Sequence, residues 1–184
     1  LIDDLGELLD DTTRHWPGKP RFVLGHSMGG LVASHYVSQQ PNALLSGLIL
    51  SSPALDPGLN PLQKLMLATL PRIAPNLRVN NGLKAHYLSH NPDVVEAYLN
   101  DPLVHRKISA RLALYIAQAG KVVKAAAPHW KLPTLLMYAG ADRLAVPVLL
   151  GVAGHARRIP HRQRHVVQHP VRPAAGDHRQ GVGA

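Results

Sequence analysis

Residues Gly25-His26-Ser27-Met28-Gly29-Gly30 set a serine between glycines in the pattern G-x-S-x-G. A hydroxyl is a weak nucleophile until its surroundings lift it clear and a base takes its proton. The pattern addresses the first requirement. A short apolar run, Arg21-Phe22-Val23-Leu24-Gly25, precedes the serine, and a helical pattern from Gly29 to Gln40 follows it. Strand, tight turn and helix in that order predict a strained Ser27 whose hydroxyl stands proud of a sheet. Gly25 and Gly29 lack a Cβ and are expected to let strand and helix approach closely. The helix start places partial positive charge beside Ser27, and the Met28 N–H is the candidate donor to an oxyanion formed on attack. A competing reading makes Ser27 a helix N-cap, its hydroxyl engaged by the helix's own N–H groups.

The second requirement needs a base and an acid to orient it. Asp142 is the candidate acid, in Gly140-Ala141-Asp142-Arg143 just past a third apolar run. Loops at the carboxyl ends of parallel strands are where open α/β sheets gather functional groups. Taken alone, Asp142 reads equally as a turn former after glycine. His26 adjoins the serine but reads as structural rather than as the base. His35, His86, His90, His105 and His129 are scattered and read as surface or cap residues.

These residues need elements to hold them. Leu1, Ile2, Leu5, Leu8 and Leu9 alternate with acids at helical spacing, so a helix is already under way at residue 1. That start leads us to expect a fragment lacking an N-terminal part. Pro17-Gly18-Lys19-Pro20 is a turn cluster. Leu48-Ile49-Leu50 and Thr134-Leu135-Leu136-Met137-Tyr138 are the second and third apolar strands. Continuous apolar strands separated by helices predict an α/β fold whose parallel sheet is covered on both faces. The stretch 57–127 is helical in pattern, with helices predicted over 62–70, 93–99 and 108–119. It is too long for a simple crossover and reads as an inserted helical cap. The organisation is therefore a core over 1–56 and 128–144, a cap over 57–127, and a tail over 145–184.

The stretches DDLGELLD, RFVLGHSMGGLVASHY, LSGLILSSPAL, NDPLVHRKIS and LPTLLMYAGADRL resemble the monoacylglycerol lipase/lysophospholipase branch of the α/β-hydrolase superfamily, often grouped as serine aminopeptidase S33. The resemblance covers residues 1–144. It implies a partial doubly wound parallel sheet with an inserted helical cap, and no cofactor. It implies hydrolysis of carboxylic esters of monoacylglycerols or lysophospholipids through an acyl-enzyme. Ser27 is then the nucleophile, Met28 an oxyanion donor and Asp142 the acid, in the chain order Ser, Asp, His of that fold. The resemblance also implies a His-Gly loop giving a second oxyanion donor and a catalytic His after the acid, and this sequence has a match for neither. His155, His161, His165, His169 and His178 follow Asp142 outside any matching context, so no catalytic His is assigned. Leu62, Leu65, Leu67 and Leu70 either line an acyl pocket or pack as core, and the cap is a candidate for peripheral membrane contact.

Of 184 residues, 20 are Lys or Arg and 11 Asp or Glu, a formal charge of +9. The last 40 residues hold six arginines, five histidines and a single acid, Asp177, with no Lys, Glu, Ser, Thr or aromatic residue other than histidine. Their charge is +5, which leaves +4 on residues 1–144. All but Ile159 are types encoded by codons starting with G or C. The expectation is a frameshifted, disordered tail on a fragment with little activity of its own. The alternative is a non-catalytic fragment whose tail binds polyanions or metal non-specifically. His161, His165 and His169 fall at i, i+4, i+8, but Pro160 and Pro170 bracket them and carboxylate partners are lacking, so no metal site is assigned. No aromatics interleave with the arginines, which argues against specific nucleic-acid binding. The chain has no cysteine, which excludes disulfide scaffolds and thiolate chemistry. No long apolar run encodes a membrane span, and a cytoplasmic location is favoured.

Overall fold

The computed structural model describes residues 1–41, 43–56 and 58–139, and the backbone of 156–159. Helix α1 (Ile2–His15) carries Asp3 and Asp4 in its first turn and Arg14 and His15 in its last, a charge order that complements the helix dipole. The turn cluster ends it. Strand β1 (Phe22–His26) then leads through Ser27 into α2 (Met28–Gln39), and β2 (Gly47–Ser51) follows. The inserted stretch holds α3 (Pro61–Ile73), β3 (Arg78–Asn80), a single 3₁₀ turn (Ala85–Tyr87), α4 (Pro92–Asn100) and β4 (Lys107–Ser109). Helix α5 (Ala110–Ala126) leads back to β5 (Thr134–Ala139).

The main sheet has the order β1-β2-β5-β6, every pair parallel, with β6 at Ala156–Ile159. That fourth strand lies in the compositionally distinct tail, and the rest of the tail is outside the described residues. The register sets His26 beside Ser51 and Ser51 beside Met137, so the carboxyl ends of β1, β2 and β5 share one edge. The three predicted apolar strands are thus the three central to the site.

Helix α2 packs on β1 and β2 and against α1 and α5. Leu31, Ala33 and Val37 of α2, Leu48 and Leu50 of β2, Leu136 of β5 and Ala119 and Val123 of α5 form the buried core. Helix α5 starts in the inserted stretch and ends in this core. Its Gly120 lies so close to Leu55 that a Cβ would sit on the Leu55 carbonyl oxygen. The expected cover on both sheet faces is not found on β1. Among the described residues helices cover the Leu48 and Leu50 face, whereas Phe22 and Leu24 are 62% and 65% exposed. The strand is apolar on both faces, but among the described residues only one has a layer against it.

The stretch 57–127 holds the three helices its pattern predicted, and beside them two short strands that it did not. Strands β3 and β4 form a separate antiparallel ribbon, Arg78 opposite Ser109 and Asn80 opposite Lys107. Helix α3 is closed by a reciprocal capping box between Asn60 and Gln63, with Pro61 in its first turn. Its Leu62 and Leu65 are exposed and its Leu67 and Leu70 half-buried, so none of the four is core against the main sheet.

Candidate functional site

Ser27 takes φ 49° and ψ −117°, a left-handed conformation for a residue with a Cβ. Such geometry costs about 1–3 kcal/mol and persists only where the surroundings impose it. Here three neighbours do. The Ser27 N–H donates to the Ser51 carbonyl at 3.0 Å. The Ser27 carbonyl accepts from Leu31 N at 3.1 Å, the first bond of α2, and from Ala54 N at 3.0 Å. Both backbone ends of the serine are therefore clamped, one to β2 and one to the segment just after it.

Ser27 occupies the N-cap position of α2, but its side chain makes no capping hydrogen bond. Its backbone is also outside the extended region that capping residues adopt. The N-cap reading fails on both counts. The hydroxyl is exposed at the carboxyl edge of the sheet instead. Met28 is the first residue of α2, so its N–H has no carbonyl one turn back within the helix.

The glycines divide their work differently from the expectation. A Cβ on Gly25 would lie 2.6 Å from the Gly29 carbonyl oxygen and 2.7 Å from the Gly30 Cα. One on Gly30 would lie 2.9 Å from the Pro53 Cβ and 3.1 Å from the Gly25 carbonyl oxygen. One on Gly29 would meet nothing within 4 Å. Close approach of strand and helix thus requires Gly25 and Gly30. Gly29 faces open space because the helix has already turned it away from the strand.

Sequence reasoning also missed what braces the turn from β2. His26 Nδ1 lies 3.2 Å from Ser51 Oγ, tying the last residues of the two strands. Ser52 also has positive φ, 42°, and its N–H donates to the Met137 carbonyl at 2.8 Å. As a sequence, Ser51-Ser52-Pro53 does no more than close an apolar strand. Only the three-dimensional neighbourhood shows that it supports the serine. His35 is half-buried, its Nδ1 3.4 Å from the Tyr115 hydroxyl, and burial holds its pKa below the ordinary value. His86, His90, His105 and His129 are exposed. Asp56 pairs with Lys124 at 2.9 Å, and that hydrogen bond, with one from Gly58 N–H, lowers its pKa. Asp142 and the five tail histidines lie outside the described residues. The strand that leads to Asp142 does end on the same edge as Ser27. No group of three or more metal-ligating side chains occurs among the described residues.

Residues 1–174 match the family described as serine aminopeptidase, S33. The chain belongs to this family. Among curated S33-like relatives it is 41% identical over 147 residues to phospholipase YtpA of Bacillus subtilis, covering 74% of this chain and 56% of that one. It is 34% identical over 151 residues to the monoacylglycerol lipase of Mycolicibacterium smegmatis, covering 80% and 53%. The chain thus spans about half the length of these relatives. Its fold matches the crystal structure of the Paleococcus ferrophilus monoacylglycerol lipase with TM-score 0.75 and 28% identity, over 87% of this chain and 64% of that one. The S33 chain has the α/β-hydrolase fold.

Proposed function

We propose that this chain carries the nucleophile of a serine ester hydrolase acting on lipid-like monoesters, monoacylglycerols or lysophospholipids. The observation that carries the reading is the backbone of Ser27, strained, clamped at both ends and with its hydroxyl uncapped. Ser27 Oγ attacks the ester carbonyl carbon while its proton passes to a base that Asp142 would orient, a role assigned to no histidine of this chain. The carbonyl oxygen becomes an oxyanion facing the Met28 N–H and the start of α2. One such donor contributes about 10²–10³-fold in rate. Collapse expels the alcohol, which takes the proton, and leaves an acyl-Ser27 for water to cleave. The chemistry calls for no cofactor.

The names of the relatives support the substrate class, since they act on phospholipid or monoacylglycerol. Exposed Leu62, Leu65 and Ile73 on α3 support contact of the cap with a lipid surface. Among the described residues no helix is long and apolar enough to cross a membrane. Slow turnover by this chain is expected, because none of its histidines is assigned as the base.

Acyl trapping tests the reading. The chain is incubated with a short-chain p-nitrophenyl ester, and p-nitrophenol release and the intact mass are both followed. Expected is a single acyl adduct on the Ser27 peptide, absent in Ser27→Ala, with little continuing release. An adduct elsewhere, or none, overturns the assignment of Ser27. Robust turnover lost in Ser27→Ala overturns only the expectation that this chain is slow.

A further inference from the structure

A cleft of about 490 Å³ opens where the β3–β4 ribbon meets the start of α5. Arg78, His105, Arg106, Lys107, Asn76 and Ser109 line it, and among the described residues no carboxylate does. None of the four ion pairs found among the described residues involves these cations. The ribbon's register sharpens the point. Arg78 lies opposite Ser109 and Lys107 opposite Asn80, so Arg78 and Lys107 share one face as diagonal neighbours. Diagonal residues on such a ribbon are about 7–8 Å apart, close enough for like charges to repel. A multivalent anion between them removes that repulsion.

From this geometry we propose that the cleft is a phosphate-binding site. A guanidinium offers a planar fork of donors that matches two phosphate oxygens, and an ammonium adds a point charge. Ser109 Oγ accepts from Leu112 N–H at 3.1 Å, which leaves the hydroxyl proton to donate. The N-terminus of the 17-residue α5 adds positive potential but no direct donors from its first two residues. Ala110 N–H and Arg111 N–H are taken by the carbonyls of Leu77 and Pro75. The cleft is larger than phosphate alone needs, which leaves room for a phosphate ester. Leu77 and Leu103, 48% and 88% exposed, adjoin the basic segments in sequence, as expected where the phosphate belongs to a lipid headgroup.

The site is separate from Ser27. Gly120, which packs on Leu55 beside the serine turn, is eleven residues along α5 from Ser109. At about 1.5 Å per residue this is roughly 16 Å of helix. The proposal therefore does not rest on ester hydrolysis, and Ser27→Ala is expected to leave it intact.

The test uses the full chain with two probes, sn-glycerol 3-phosphate followed by calorimetry and phosphatidylcholine vesicles with and without phosphatidic acid. Arg78→Glu/Lys107→Glu is compared with Lys121→Glu/Lys131→Glu, an equal charge change at exposed positions outside the cleft. Arg78→Gln, checked by circular dichroism, guards against misfolding of the double variant. Loss of about tenfold or more in affinity for at least one probe, confined to the cleft variants, upholds the site. If glycerol phosphate displaces the chain from vesicles, a lipid headgroup is the source. If the soluble ester binds without affecting vesicle binding, a free phosphate ester is. Equal losses in both double variants reduce the effect to net charge and overturn the proposal, as does binding of neither probe.

Discussion

The two glycines flanking Ser27 in the pattern should respond oppositely to the same substitution. An alanine Cβ at Gly25 would lie 2.6 Å from the Gly29 oxygen, 2.7 Å from the Gly30 Cα and 2.8 Å from the Gly29 carbonyl carbon. All three are backbone atoms, so no side chain can swing aside. The 2.6 Å separation must open to at least 3.0 Å, which means moving β1 against the first turn of α2. Overpacking of this kind costs about 1–3 kcal/mol, and the rigid surroundings place Gly25→Ala near the upper end. For a domain of this size, about 3 kcal/mol lowers the melting temperature by roughly 6–12 °C. Gly29→Ala meets nothing within 4 Å, lies within a helix and needs no positive φ. It should be neutral, or stabilising by up to about 1 kcal/mol through helix propensity. Urea denaturation of both variants beside the parent decides the matter. Equal destabilisation, or a Gly25→Ala variant within about 0.5 kcal/mol of the parent, would refute the close-approach reasoning.

The Asp56–Lys124 pair should leave a signature in acid. Because Lys124 lowers the Asp56 pKa in the folded chain, the stabilisation is complete above the unfolded carboxyl pKa and is lost as pH falls through the folded one. Both groups are about a third exposed or more, so Lys124→Met should cost no more than about 1 kcal/mol at neutral pH and nearly nothing at pH 2, compared by urea unfolding at both. At the other end of the inserted stretch, Asn60→Ala removes the capping box of α3 and should cost that helix about 1 kcal/mol. Hydrogen exchange confined to the first turns of Pro61–Ile73 would report it, with the amides of β2 unchanged.

What could be read in the sequence was whatever is coded locally. Phe22–Gly25, Leu48–Leu50 and Thr134–Tyr138 are unbroken apolar runs, and each is a strand to within a residue or two. The G-x-S-x-G pattern placed Ser27 on its turn for the same reason. Strands β3 and β4 escaped because Arg-Val-Asn and Lys-Ile-Ser have no alternation long enough to register, and they exist only because a distant segment supplies the partner. Ala156–Ile159, with two arginines in four residues, gave even less warning. An apolar strand records that it can be buried, not that a layer is present, and among the described residues Phe22 and Leu24 show the difference. Gly30 was passed over because the pattern ends at Gly29, whereas the contact it protects is with Pro53, more than twenty residues on.

The strain at Ser27 is shared rather than local. Its N–H is held by Ser51, its carbonyl by Ala54, and Gly30 of its helix rests on Pro53. Between those anchors Ser52 adopts a second left-handed conformation, and its own N–H is held by Met137 of β5. Two non-glycine residues with positive φ thus lie on neighbouring strand ends, each fixed by the next strand over. Relaxing either would release a bond that fixes the other, so neither can reach its preferred backbone angles alone. In this arrangement the pattern around Ser27 supplies the hydroxyl, but the edge formed by β1, β2 and β5 keeps it presented. Ser51 and Ala54 thus hold the serine out of the extended backbone that an ordinary N-cap adopts.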